Sequence, residues 1–378
     1  MKHSDSWKHL VPEHLRKLGP YTPGKPLKQA ERESGVRCIK MASNENPFGP
    51  SPKAMDAIRR AAGDVNFYPD NDTTELRVRL AERNNLTPDQ VLVTDGSTAL
   101  LDLIARTLLA PSLNAVTSAR SFIVYLIATR AAGGELIEVP MQGDTYDLDA
   151  IADAVNEDTR IVYLANPNNP TGTLFDAPAT DKFLERIPPS VFVVLDEAYA
   201  DFAGHFARKR GVEYTHSLDY VREGRAVIVL RTFSKAHGLA GMRVGYGFGP
   251  PEIIAYLERL KTAFSVSAAA EAAALAALDD TEHIRKTVEN NERGAEFLTD
   301  KLKELGFNPV PTWANFIYFD AGTDAGALCK RIQEEGVIVR SLVPWGIPNA
   351  IRVTIGTPEQ NARFIAALAK ASDRAAVR

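Results

Sequence analysis

The sequence contains little cysteine: two of its 378 residues are cysteines, Cys38 and Cys329. Their spacing is not that of a metal site, so free thiols in a reducing compartment are expected, with a disulfide as the alternative. No stretch of about 18 apolar residues occurs, so no membrane-spanning helix is predicted. The first residues have no apolar core and no cleavage-type ending. A signal peptide is therefore not predicted, and a cytoplasmic location is expected.

An excess of positive charge is also missing, because 44 Lys and Arg residues face 48 Asp and Glu residues, for a net charge of -4. No basic stretch is interleaved with aromatic residues, so nucleic acid is not a predicted partner. Hydrophobic residues make up 45% of the chain and charged residues 24%, which is the ordinary composition of a globular protein. No internal repeat is evident. The chain is longer than one hydrophobic core usually supports, so a large domain with a smaller one is expected.

Short apolar runs alternate with helical patterns through the middle of the chain. The runs are residues 91–94, 136–139, 160–165, 191–196 and 226–230. Continuous apolar strands separated by helices indicate a mainly parallel sheet between two layers of helices. After about residue 255 helical patterns dominate, and short strands follow at 316–319, 337–339 and 351–355. We predict an α/β fold with an arm (1–45) that joins a small α+β domain (256–378), and a large domain (46–255).

Ligands of open α/β sheets bind beyond the carboxyl ends of the strands, and two strand ends here carry unusual turns. Asp95-Gly96-Ser97-Thr98 lies between a strand and a helix, where the N–H groups of a helix start favour a phosphate. Helix capping without a ligand is the alternative. Asn166-Pro167-Asn168-Asn169-Pro170-Thr171-Gly172 contains two Asn-Pro steps, which force extended or turn backbone and can direct an amide at a ligand. A rigid surface turn is the alternative.

A third strand end carries Asp196, after a run of five apolar residues. A carboxylate at such a place requires a cationic partner, and a protonated pyridine nitrogen would supply one through a charge-assisted hydrogen bond. Tyr199, three residues further on, can donate to a ring hydroxyl. The alternative is an aspartate that caps the next helix.

The fourth strand end is the run Thr232-Phe233-Ser234-Lys235. A lysine at the end of an apolar strand is poorly solvated, which favours the neutral amine that condenses with an aldehyde. Thr232 and Ser234 can hydrogen-bond a phosphate, and Arg243 can bind it through two N–H groups. A solvated loop lysine is the alternative. Taken together, the four strand ends predict a site for pyridoxal phosphate.

At this point the sequence resembles the fold-type I pyridoxal phosphate enzymes, in particular the histidinol-phosphate aminotransferase family. Besides the two runs above, Asn44-Glu45-Asn46-Pro47-Phe48-Gly49-Pro50 and Tyr68-Pro69-Asp70 carry the likeness, which extends over nearly the whole chain. It implies an aspartate-aminotransferase-like fold, a pyridoxal 5'-phosphate cofactor and a homodimer with shared active sites. It implies no metal.

The resemblance implies a role for each residue of the cofactor site. Lys235 would carry the cofactor as a Schiff base and move the proton between the substrate α-carbon and the cofactor C4′. Asp196 would pair with the pyridine nitrogen, Asn169 and Tyr199 would hold the ring oxygen, and Phe122 would stack on the ring. The residues that would bind the cofactor phosphate are Gly96, Ser97, Thr98, Ser234 and Arg243, with Thr232 nearby and Tyr68 from the partner subunit.

The resemblance also implies substrate contacts and an activity. Arg352 would bind a carboxylate, Arg340 a distal phosphate, and Tyr21 and Asn46 would line the pocket. The implied reaction is transamination between L-histidinol phosphate and 2-oxoglutarate in histidine biosynthesis. An aromatic amino acid aminotransferase and a phosphothreonine decarboxylase share the scaffold and are the alternatives. A cofactor-binding regulator would require a DNA-binding module ahead of the sheet, for which the arm has no room.

Three departures from the family pattern bear on the substrate more than on the lysine chemistry. Ala99 replaces an acidic or polar residue, and Arg120-Ser121 precedes Phe122 where Pro-Thr is usual. His237 stands where an apolar aromatic residue is usual, and we expect it to pack at a helix start without a catalytic role.

Overall fold

The fold is described from a computed structural model, over residues 7–19 and 24–376. The strands are β1 (Ile39–Lys40), β2 (Val91–Thr94), β3 (Asn114–Ser118), β4 (Glu135–Val139), β5 (Thr159–Ala165), β6 (Phe192–Asp196), β7 (Val227–Thr232), β8 (Gly245–Phe248), β9 (Asn308–Pro309), β10 (Phe316–Asp320), β11 (Val337–Ile338), β12 (Arg340–Ser341) and β13 (Ala350–Thr354).

The α-helices connect and flank these strands and contain more residues than the strands do. They are α1 (Glu13–Arg16), α2 (Leu27–Ser34), α3 (Pro52–Ala61), α4 (Thr74–Arg83), α5 (Ser97–Leu108), α6 (Val124–Ala131), α7 (Leu148–Ala154), α8 (Ala177–Arg186), α9 (Ala200–Arg210), α10 (Ser217–Arg222), α11 (Pro251–Leu260), α12 (Ala268–Leu278), α13 (Thr281–Glu304), α14 (Ala325–Glu334) and α15 (Pro358–Ala376).

The central sheet has seven strands in the order β2-β8-β7-β6-β5-β3-β4. All neighbours pair in parallel except β8, which runs antiparallel to both β2 and β7. β5, β6 and β7 lie in the middle, and the strand direction reverses between β7 and β8. The predicted mainly parallel α/β sheet is therefore confirmed.

The middle strands are apolar at successive positions because both faces of the sheet are covered. In β6, Val193 and Leu195 belong to one buried cluster, with α8 and α12, whereas Val194 belongs to the other, with α5, α6 and α11. Successive side chains of a strand point to opposite faces, so a strand covered on both sides must be apolar throughout. This burial fixes the strand ends, and with them the side chains that follow.

A second unit is built around the antiparallel sheet β12-β13-β10-β9, with α13, α14 and α15 packed on it. The chain before α3 joins it, because β1 pairs in parallel with β11. α12 packs on α3, within the cluster of the large sheet, although it lies beyond the boundary predicted at residue 255. The division into arm, large domain and small domain stays a prediction.

Helix ends follow the capping chemistry of their sequences. The Ser51 side chain accepts from the Ala54 N–H at 3.2 Å and Pro52 opens α3. In the capping box before α15, the Gln360 N–H donates to Thr357 and the Thr357 N–H donates back to the Gln360 side chain. Cys38 and Cys329 are free thiols. Within residues 7–19 and 24–376, no helix combines the length and the apolar character needed to cross a bilayer.

Candidate active site

A cavity of about 210 Å³ lies beyond the carboxyl ends of β5, β6 and β7. Polar side chains lie there because, after each of these strands, the chain leaves the part of the sheet that helices cover. The lining residues are Ser43, Glu45, Ser97, Thr98, Phe122, Ala165, Pro167, Asn169, Asp196, Ala198, Tyr199, Thr232, Ser234, Lys235, Ala240 and Arg243. The four strand ends selected from the sequence therefore meet at one site.

Lys235 follows β7 and extends its amine into this cavity. Its Nζ donates to the carbonyl oxygen of Ser43 at 3.2 Å and lies 5.7 Å from the centre of the Tyr199 ring. Burial lowers the pKa of Lys235 to about 8, and the positive charge of Arg352 acts in the same direction. A substantial fraction of the amine is therefore neutral near pH 8, which is the nucleophilic form.

Asp196 ends β6 and is 6% exposed. Each of its carboxylate oxygens accepts one hydrogen bond: Oδ2 from the Tyr125 hydroxyl at 2.9 Å and Oδ1 from the Ala198 N–H at 3.2 Å. Burial raises the pKa of Asp196 to about 6, while the two donors act against the rise. A cation placed against this carboxylate would be strongly favoured, because the group is already removed from water.

The neighbouring Glu197 is also buried, at 1% exposed, and it has its own cation. Arg231 donates to Glu197 Oε2 from Nε at 3.0 Å and from Nη2 at 2.8 Å. Thr215 donates to the other carboxylate oxygen at 2.8 Å. Glu197 is thus satisfied inside the fold, so of these two neighbouring carboxylates it is Asp196 that faces the cavity.

The opposite end of the cavity is an anion cradle made of a helix start, hydroxyls and a guanidinium. Gly96 opens α5 with φ of 114°, and a Cβ built there would lie 2.4 Å from Nη2 of Arg243. Arg243 itself has φ of 54° and approaches Ser234 Oγ at 3.5 Å. Ser97 and Thr98 present the first N–H groups of α5. This combination is suited to a phosphate monoester.

Between the carboxylate and the cradle, three side chains enclose the space for a planar ring. Phe122 lines the cavity and meets the Tyr125 ring edge-to-face at 5.8 Å. Tyr199 is 4% exposed and packs edge-to-face on Phe316 at 5.3 Å. Asn169 lines the same wall. The three residues for which the sequence predicts ring contacts therefore line one cavity.

Two arginines come from the smaller sheet. Arg340 of β12 lies directly opposite Arg352 of β13, so the two belong to one face of that sheet. Arg352 donates to Asn169 Oδ1 through Nη1 and to the Ala42 carbonyl at 3.0 Å through Nη2. Arg340 stacks at 4.6 Å on Trp345 and lines an adjoining groove of about 900 Å³ that includes Ala42. The predicted carboxylate and phosphate ligands are thus cross-strand neighbours at the edge of the site.

Other predicted site residues lie elsewhere or outside the described residues. Tyr68 is 83% exposed and stacks on Phe264 at 4.7 Å, away from this cavity. The Asn46 amide donates to the Ala236 carbonyl at 2.8 Å and to Thr287 at 3.0 Å, so its donors are used within the fold. Tyr21 lies outside the described residues. The roles of these three residues stay predictions.

His237, two residues after Lys235, is buried and does not line the cavity. It packs on the ring of Phe233 at 4.9 Å, burial lowers its pKa, and its Nδ1 has no hydrogen-bond partner in the described part of the chain. Ala99 lies in the first turn of α5, and it does not line the cavity either.

Sequence reasoning missed Tyr125, Asn44 and the carbonyl of Ser43. Tyr125 had a usable signal, since it follows Phe122 by three residues and its N–H donates to the Phe122 carbonyl in the turn that leads into α6. Asn44 and Ser43 had none, because their partners Tyr199 and Lys235 are more than 150 residues away.

Comparisons with known proteins show the family to which the chain belongs. The sequence model of the aminotransferase class I and II family matches residues 36–368. The chain therefore belongs to the class I and II aminotransferases, as its resemblance predicted.

The individual relatives are more specific. "Histidinol-phosphate aminotransferase 2" of Pseudomonas aeruginosa is 44% identical over 96% of this chain and 97% of the relative. Among solved structures, histidinol-phosphate aminotransferase from Sinorhizobium meliloti, in complex with pyridoxal-5'-phosphate, is 28% identical with a TM-score of 0.87, over 97% of this chain and 98% of that one. Aspartate aminotransferase from Thermus thermophilus, 22% identical, has the same fold at a TM-score of 0.81 over 96% of this chain and 99% of that one.

Proposed function

We propose that this enzyme transfers an amino group from L-histidinol phosphate to 2-oxoglutarate, with pyridoxal 5'-phosphate held at Lys235. The observation that carries the proposal is the cavity in which a lysine of lowered pKa, a buried aspartate and an anion cradle meet. The substrate follows from the Pseudomonas aeruginosa relative, which has that name at 44% identity.

The residues fit the cofactor on geometric grounds. A Cβ at Gly96 would occupy the space beside Arg243, and one at Gly245 would lie 2.4 Å from the Ser97 N–H, so the cradle admits an anion only because both positions are glycine. Gly96, Ser97, Thr98, Ser234 and Arg243 would hold the phosphate, with Thr232 adjacent. When bound, the cofactor supplies an electron sink for the bond broken at the substrate α-carbon.

Each remaining residue has a task that its position allows. The Lys235 amine holds and moves the proton at the substrate α-carbon, because its lowered pKa lets it accept and release a proton near neutral pH. Asp196 keeps the ring nitrogen protonated. Tyr199 and Asn169 hold the ring oxygen, and Phe122 fixes the ring plane.

The two arginines of the smaller sheet account for a site that accepts two unlike substrates in turn. Arg352 takes a carboxylate with its planar fork, and Arg340, its cross-strand neighbour, takes the distal phosphate. Tyr21 and Asn46 complete the pocket in this proposal. Because the two arginines are neighbours on one face of the sheet, the enzyme can bind first a substrate with a carboxylate and then one with a phosphate at the same site.

We further propose a homodimer in the cytoplasm with Tyr68 reaching the cofactor phosphate of the partner subunit. Tyr68, Phe67 and Val65 are 83%, 69% and 77% exposed, and Phe264 beside Tyr68 is 44% exposed. Apolar side chains clustered at one place on a surface are typical of a contact with another protein. Truncation of Tyr68 should therefore weaken cofactor retention although the residue lies outside the cavity of its own chain.

A single-turnover absorbance experiment tests the substrate. Cofactor-loaded protein is mixed separately with L-histidinol phosphate, L-glutamate and L-phenylalanine, and conversion to the pyridoxamine form is followed. Rapid conversion by the first two with slow conversion by phenylalanine supports the proposal. Preference for phenylalanine would make the protein an aromatic aminotransferase, and no conversion by any of the three would direct attention to phosphothreonine decarboxylation.

A further inference from the structure

Asn44 lies where the N-terminal segment passes between the two sheets, one residue after the Ser43 carbonyl that accepts from Lys235. It is 1% exposed and has φ of 57°, in the left-handed region. Asparagine is among the few residues that adopt this backbone readily, apart from glycine. No part of the function described so far uses its side chain.

Every polar group of Asn44 is engaged. Its amide nitrogen donates to the Tyr199 hydroxyl oxygen at 2.8 Å. Its backbone N–H donates to Thr354 Oγ1 at 2.9 Å, and its carbonyl oxygen accepts from Asn315 at 3.0 Å. Asn44 thereby joins a residue of the cofactor cavity to β13 and to the residue that precedes β10 in the smaller sheet.

The orientation of the Asn44 amide follows from this network. Thr354 Oγ1 accepts from the Asn44 backbone N–H, so its own proton is free to be donated, and it goes to Asn44 Oδ1 at 3.3 Å. With Oδ1 used as an acceptor from Thr354, the NH₂ group faces Tyr199. An amide NH₂ only donates, so the Tyr199 oxygen must accept there. The hydroxyl proton of Tyr199 is then directed away from Asn44.

We propose that Asn44 is a positioning residue that fixes Tyr199 as a hydrogen-bond donor to the ring oxygen of the cofactor. The inference rests on the proposed function, because it requires the cofactor ring to lie against Tyr199. A hydroxyl that accepts one hydrogen bond also becomes a stronger donor in another. Asn44 therefore acts on the cofactor through Tyr199 and touches no reacting atom.

The test is a titration of the chromophore that the cofactor forms with Lys235, followed by absorbance against pH. A donor to the ring oxygen favours the form in which that oxygen has its full negative charge, so its loss raises the pKa of the chromophore. Asn44→Gly keeps the left-handed backbone and removes the amide. It should raise that pKa by about 0.5 to 1, the equivalent of one hydrogen bond.

Tyr199→Phe and the double variant show whether the effect passes through the tyrosine. Tyr199→Phe should raise the chromophore pKa at least as much as Asn44→Gly, and the double variant should equal Tyr199→Phe alone. Additive shifts would overturn the proposal, as would an unchanged pKa in Asn44→Gly.

Asn290→Ala is the matched control, because it removes another buried asparagine amide, in α13, whose hydrogen bond at 3.0 Å goes to the Gly356 carbonyl. It should lower the melting temperature and leave the chromophore pKa unchanged. An equal pKa shift in this control would mean that any loosening of the smaller unit has the same effect, which also overturns the proposal. Failure of the wild type to form a chromophore at all would instead contradict the proposed function.

Discussion

The two sides of the cofactor cavity are built on different principles. On the strand-end side, Asn169, Asp196 and Lys235 each follow a central strand that is apolar on both faces. On the arm side, residues 42–46 meet β13 through hydrogen bonds that join positions 310 residues apart. The first side is fixed by local register and the second by the packing of distant segments. We therefore expect the strand-end side to control the rate of the chemical step, and the arm side to control substrate binding and the orientation of Tyr199.

The largest effect is expected at Lys235. Lys235→Ala removes both the point of cofactor attachment and the group that moves the proton, so transamination should fall by about 10⁴-fold or more. The melting temperature should change little, because the lysine adds no apolar packing to the sheet. The measurement is the half-reaction with L-glutamate, with exposed Lys53→Ala as the control. Wild-type turnover by Lys235→Ala would show that another amine does the chemistry.

The next effect is expected at Asp196. Asp196→Asn keeps the shape and loses the charge, so the half-reaction should slow by about 10- to 100-fold, equivalent to one charge-assisted hydrogen bond. Cofactor affinity gives the pH test. The wild-type carboxyl, with its pKa raised to about 6, loses its charge as the pH falls through that value, whereas asparagine has no charge to lose.

The wild-type advantage in cofactor affinity over Asp196→Asn should therefore shrink between about pH 8 and about pH 5. Titration of the free cofactor cancels in this ratio because both proteins bind the same free cofactor. An advantage that stays constant over this range would mean that the charge of Asp196 does not hold the cofactor.

The same contrast explains which parts were predictable from sequence. The strand-end side was accessible because an apolar run of five or six residues predicts where a chain leaves the sheet, as before Asp196 and Lys235. β8 was missed because Gly245 and Gly247 hide its strand pattern, and Gly245 is required by the close approach of Ser97. β3 was missed because Asn114 and Ser118 are buried only through their neighbours β4 and β5.

The arm side could not be derived from local patterns at all. Arg340 and Arg352 are cross-strand neighbours only after β12 and β13 have paired, and no periodicity reports that register. The resemblance to a known family supplied their roles, and the structure supplies their adjacency. Asn44 belongs to a run that carries the likeness but was assigned no role of its own, since its contacts exist only once three distant segments have met.

A moderate effect, mainly on binding, is expected for the arginine pair. Arg340→Lys and Arg352→Lys both keep the positive charge and lose the planar guanidinium group, which can donate two parallel hydrogen bonds to one anion. Arg340→Lys should raise KM for L-histidinol phosphate by about tenfold and leave KM for L-glutamate nearly unchanged, whereas Arg352→Lys should raise KM mainly for L-glutamate, the donor that carries a carboxylate. Steady-state kinetics with each donor measures the split. Equal effects of Arg340→Lys on the two donors would contradict a separate phosphate ligand.

The smallest effect is expected one layer behind the strand ends, at Tyr125. Its hydroxyl donates to Asp196 and so lowers the pKa of that carboxyl. Tyr125→Phe should slow the half-reaction by about 3- to 10-fold, and more at pH 6 than at pH 8, because the carboxyl then protonates at higher pH.

Tyr163→Phe is the matched control for this variant. Tyr163 stacks on Tyr125 at 4.8 Å with parallel rings, but its own hydroxyl is buried without a hydrogen-bond partner within residues 7–19 and 24–376. Removing that hydroxyl keeps the stack and should leave the rate unchanged at both pH values. If the two variants slow the reaction equally, packing behind the sheet matters and the hydrogen bond to Asp196 does not. A pH-dependent loss confined to Tyr125→Phe would show that Tyr125, behind Asp196, acts through the charge of that carboxyl. The arm side differs, because the effects expected there are on substrate binding and on the orientation of Tyr199.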